Sequence, residues 1–143
     1  MKNITRLLSV LALGLGLAVT TRAQSTLQYQ WQATSGLTPL ATATATQVQP
    51  AQPAANIGAT RNYVTSFSFV NTSATVSTTV TILDGVTVIW TGFLPAQTAA
   101  LQAVPVVVAL NTPLKGSPTT ALNIQLGTTG ASVYWNLGGF WGY

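Results

Sequence analysis

Apolar and polar positions alternate with a period of two along most of this chain, and the clearest stretch is residues 76–90 (VSTTVTILDGVTVIW). Val76, Thr78, Val80 and Ile82 alternate with Ser77, Thr79, Thr81 and Leu83. Val86, Val88 and Trp90 alternate with Thr87, Ile89 and Thr91. Such a period places one set on each face of a sheet. Asp84-Gly85 separates the two runs. A type I′ turn needs φ > 0 at both central residues, so the pattern predicts a β-hairpin turning at Asp84 and Gly85.

The same pattern recurs elsewhere. Residues 24–33 alternate Leu27, Tyr29 and Trp31 with glutamines, and predict a first half-buried strand. Residues 41–49 (ATATATQVQ) compete between a flexible linker and a strand, and their Thr and Val content favours the strand. Residues 61–70 alternate Tyr63, Thr65, Phe67 and Phe69 with Val64, Ser66, Ser68 and Val70. Residues 104–110 (VPVVVAL) form a continuous apolar run, as expected of a strand covered on both sides, with Pro105 near its start or on an edge. Left exposed, that run is an aggregation hazard, and Pro95, Pro105 and Pro113 act as breaks around it.

After a predicted loop at 111–120 come strands at 122–126 and 131–137, then a bend at Gly138-Gly139 and an aromatic tail. No stretch after residue 23 keeps a 3.6-residue apolar period over ten residues. Seven or eight short strands with turn signals between them predict one all-β, antiparallel sandwich or jelly-roll-like domain over residues 24–143.

The first 23 residues differ in kind. Lys2 and Arg6 precede a short uncharged apolar run, and Thr21-Arg22-Ala23 closes it with small residues at the outer positions. This is the pattern of a helical signal peptide cleaved before Gln24, and the run is too short for the roughly 20 residues that span a bilayer. No stable membrane insertion is therefore expected after cleavage, and export to the periplasm, cell surface or medium is.

The leader also changes the charge. The full chain carries a formal +4, but Lys2, Arg6 and Arg22 belong to the leader. Arg61 and Lys115 against Asp84 leave a net +1. A nucleic-acid surface needs clustered cations, and none exist. So little charge also repels identical copies weakly, which points toward self-association.

The chain has no Cys, His or Glu and one Asp, so no disulfide, zinc site or pair of carboxylates is available. General acid–base catalysis lacks its usual groups, and a hairpin turn already accounts for Asp84. No catalytic, metal or cofactor-binding residue is expected. A Ser117–Lys115 pair and an isopeptide bond from Lys115 through Asp84 are the two remaining covalent options, and adjacency in sequence supplies the geometry for neither. Aromatics carry more. Trp90 fits a core position and Trp135 is ambiguous, because Tyr134 and Trp135 must point to opposite faces. Trp141 and Tyr143, with Trp135, are the candidate contact surface for another subunit or for a glycan.

Several segments together resemble small β-rich proteins of tailed bacteriophages and prophages. They are RNYVT at 61–65, NTSAT at 71–75, ILDG at 82–85 with Val88-Ile89-Trp90, TPLKGS at 112–117, TALN at 120–123 and TGASVYWN at 129–136. The resemblance covers about residues 31–143 and consists of turn and strand motifs. It implies a virion-type structural β-sandwich that assembles with copies of itself or with other structural proteins. A virion component assembled in the cytoplasm needs no export leader, so the leader favours an exported relative at the cell surface or outside the cell over a virion component. The expected function is thus a non-enzymatic, self-associating structural subunit. The alternative is a carbohydrate-binding or adhesive module using exposed aromatics.

Overall fold

The computed structural model describes residues 29–51, 60–98 and 103–142. The expected signal peptide, the start of the first predicted strand and Tyr143 lie outside them. Eight strands follow in order: β1 (Tyr29–Thr34), β2 (Thr46–Gln49), β3 (Arg61–Asn71), β4 (Thr78–Asp84), β5 (Thr87–Leu94), β6 (Val106–Pro118), β7 (Leu122–Leu126) and β8 (Val133–Gly142). They form two antiparallel four-stranded sheets, β1-β8-β3-β6 and β2-β7-β4-β5. The chain changes sheet at most connections, which makes the sandwich a jelly roll.

Alternation explains the core. Phe67, Phe69, Val133 and Leu137 face inward from the first sheet, and Val80, Ile82, Leu122, Ile124 and Leu126 from the second. Trp90 of β5 joins the sheets, its ring 4.5 Å from Phe67 and 5.7 Å from Phe69. β5 therefore lies against β3, while β1 lies nearest β2. This stacking puts β5 and β6 on one flank of the sandwich and β1 and β2 on the other.

Several sequence expectations change. The hairpin turns one residue later, because Asp84 pairs with Thr87 and the two-residue loop is Gly85-Val86. Gly85, with φ of 62°, is the one of these with positive φ, so the type I′ requirement at Asp84 is not met. The faces of β5 also shift, since pairing slips between Ile82↔Trp90 and Leu83↔Val88 and leaves Ile89 as an extra bulged residue.

Residues 111–118 are not a loop but the second half of β6. β3 is eleven residues long and needs a long partner, and β6 meets it by bulging between Ala109 and Leu114. Its prolines are tolerated because β6 is an edge strand. The apolar run before Leu110 is covered on one face only, since Val106, Val108 and Leu110 pack on the core while Val107, on the outer face of the two-layer sandwich, is 71% exposed. Finally, β8 does not bend at Gly138-Gly139. A Cβ on Gly139 would strike the Tyr63 carbonyl and the Trp31 ring, so glycine lets three strands stay close. Of residues 41–49, only Thr46–Gln49 is strand.

Candidate interaction surfaces

The two ends of the sandwich are closed by buried polar side chains. Asp84, 6% exposed, accepts a 2.7 Å bond at Oδ2 from the Ser117 N–H of the opposite sheet. Asn62, 1% exposed, donates through Nδ2 to the carbonyls of Pro50 at 3.2 Å and Thr120 at 3.1 Å. Gly116 is the space between them, since a Cβ there would lie 3.0 Å from the Asn62 carbonyl and 3.1 Å from Asp84 Oδ1. The turn is docked too, with Gly85 N–H donating to Ala121 at 2.8 Å and Asn123 Nδ2 donating to the Gly85 carbonyl at 2.7 Å. Asn71 does the same work at the far end. Its Nδ2 donates to the carbonyls of Val76 and Pro95, and its Oδ1 accepts from Ser73 and Ser132 N–H groups. Such bonds satisfy backbone groups that the loops would otherwise bury unpaired.

Asp84 is thus a cross-sheet tie rather than a turn residue. Its sequence signal could not show this, because Ser117 is 33 residues away. Lys115 and Ser117 both sit on the exposed side of β6, with Gly116 buried between them. Lys115 and the buried Asp84 therefore occupy opposite sides of the strand. Among the described residues no group of three or more His, Cys, Asp or Glu side chains comes together. No helix among them is long and apolar enough to cross a membrane.

The aromatic candidates separate. Trp135 pairs with Phe69 and packs partly buried against the core. Trp141 pairs with both Tyr29 and Asn62, and stacks on the Tyr29 ring at 4.5 Å. Being separated by even numbers of residues on one strand, Trp135 and Trp141 share the inward side of β8 with Leu137. Tyr143 lies outside the described residues.

The β5/β6 flank presents another surface. Here Val88, 57% exposed, and Phe93, 62%, face outward from the second sheet and Val107, 71%, outward from the first, with Val86 and Val104 also exposed. β5 carries no charged residue and no proline over its eight residues. β6 is similar from Val106 to Leu110, and only its later half bears Pro113, Lys115 and Pro118. The alternation signal contained Val88 and Val107 but could not say that their strands lie at the sheet edges.

Against known proteins, no family model, curated protein or solved structure matches this chain.

Proposed function

We propose that the chain is a non-enzymatic structural subunit, of the phage-protein type its motifs resemble, that associates with copies of itself through the β5/β6 flank. One observation carries this reading. Two long, nearly uncharged edge strands lie on the same flank with exposed valines and a phenylalanine beside them. An edge strand offers a row of unpaired N–H and C=O groups, and proteins that stay monomeric usually blunt it with charge, proline or short length. β5 is eight residues long with no charge and no proline, and its one irregularity is the bulge at Ile89. A second copy fits such an edge best: the neutral side chains bring no like-charge repulsion, and antiparallel pairing about a two-fold axis is self-complementary. The jelly roll itself serves both capsid subunits and lectins, so the fold alone favours neither role.

The deciding measurement is molar mass by light scattering across a concentration series. A discrete dimer or larger assembly that Val88→Glu dissociates supports the reading. A wild-type monomer at every concentration refutes it. Export belongs to the same proposal. An N-terminus at Gln24 on protein recovered outside the cytoplasm supports it, and an intact Met1 chain retained in the cytoplasm refutes it.

A further inference from the structure

A groove of about 570 Å3 lies on the outer face of the β1-β8-β3 portion of the first sheet, away from the β5 edge. Neighbouring outward positions of three strands meet there: Gln30 and Gln32 from β1, Asn136 and Phe140 from β8, and Ser66 and Ser68 from β3. Its floor is low because β8 has a glycine at the centre. A Cβ on Gly138 would come within 3.0 Å of Ser66 Oγ. Thr65, the extra residue of β3 between Val64↔Gly139 and Ser66↔Gly138, donates through Oγ1 to the Gly138 carbonyl at 3.1 Å and so is tied to that floor.

The chemistry of the lining is narrow. Apart from the Trp31 indole, every polar side chain among its described residues is an amide or a hydroxyl, and none ionises. An anion would find no cation there, and a metal ion no carboxylate. Gln32 Nε2 donates to Asn136 Oδ1 at 3.2 Å, which leaves Gln32 Oε1 to accept and Asn136 Nδ2 to donate. Side-chain amides and hydroxyls offer donors and acceptors together, as vicinal sugar hydroxyls require. The Phe140 ring stacks on Tyr63 with centroids 4.8 Å apart and planes within 13°, which holds an apolar face at the groove. A pyranose presents both surfaces, hydroxyls at its edge and C–H groups on its face. The volume lies within the roughly 300–1,000 Å3 usual for small-ligand sites.

From this lining we infer that the groove binds a neutral oligosaccharide. Neither Trp135 nor Trp141 lines it. It is separable from the self-association proposal through Val88, which lies on the second sheet and outside the groove, whereas Val107 of β6 pairs with Ser68 at the groove's rim.

The test is isothermal titration of the purified protein with cellohexaose, xylohexaose, mannohexaose and chitohexaose, and with oligogalacturonate as an anionic comparison. At least one neutral hexaose is expected to bind. Asn136→Ala should weaken it about fivefold, the size of one neutral hydrogen bond. Gly138→Val, which fills the floor, should abolish it, and Val88→Glu should leave it unchanged. Gln32→Ala is the surface variant to use if Gly138→Val does not fold, with the same fivefold loss expected. No neutral binding at about 1 mM ligand, binding of oligogalacturonate alone, or affinity untouched by the groove variants would overturn the inference.

Discussion

The two flanks of the sandwich solve the edge problem differently. On one side, β1 has six residues and β2 four, and glutamines alternate along both. On the other, β5 has eight residues and β6 thirteen, and exposed valines and Phe93 stand where the glutamines would be. Short polar edges discourage strand addition, while long apolar ones invite it. Neither flank relies on charge, apart from Lys115 toward the end of β6. The asymmetry teaches that low charge is not uniformly a signal for association. It acts only where backbone length and apolar side chains coincide.

The interior differs between the flanks as well. Behind β5 and β6 lies the aromatic group of Phe67, Phe69 and Trp90. Behind β1 lies Trp31, half-buried and set against Gly139. Phe69→Ala should be the most damaging substitution, costing about 3–5 kcal/mol in urea unfolding, because the ring is fully buried. Trp31→Ala should cost less, since its ring is only partly buried. Equal losses would break the comparison.

Gly139→Ala comes next, at about 1–3 kcal/mol by the same measurement, since the new methyl group meets the Tyr63 backbone and the Trp31 ring. A neutral outcome would mean that β1 and β3 can move apart freely around β8.

Val88→Glu should raise the dissociation constant of the assembly at least about tenfold, or about 1.4 kcal/mol, in sedimentation equilibrium. Gln47→Glu, an exposed change on β2, should leave that constant alone. If the two act alike, the flanks are not distinguished by assembly. The smallest expected effect is Gly85→Ala, at about 1 kcal/mol of stability. Its φ of 62° disfavours a side chain, and Thr120 Cγ2 stands 3.0 Å from the added carbon.

Much of the fold was legible in the residues. The alternation in β4 and β7 marked their buried faces correctly, as Val80, Ile82, Leu122 and Ile124 show. In β3 it held only from Phe67 onward, because the extra residue Thr65 puts Val64 on the buried face and Tyr63 on the outer one. The misplacements have a common cause. Residues 111–118 carry loop-forming prolines and a glycine, yet they pair with β3 because its first half needs a partner. The Asp84-Gly85 signal marked the hairpin, but docking of Gly85 on Ala121 and of Asp84 on Ser117 sets the turn one residue later. Of the candidate surface, Trp135 and Trp141 were visible as aromatics, but their inward direction was not. The groove over Gly138 was not legible at all, because it draws on strands more than 100 residues apart, as the Gln32–Asn136 bond does.

By itself, the sequence determined what local periodicity and composition can determine. It specified an all-β chain, the faces of most strands, one carboxylate and a net charge near zero beyond residue 23. The tertiary structure decided which strands are edges, which valines meet solvent and which amides share a groove. The physical reason is that a period of two fixes a side chain's face within its own strand. The neighbour across the ladder is chosen by pairing between distant segments, such as β1 with β8, and no local pattern encodes that choice.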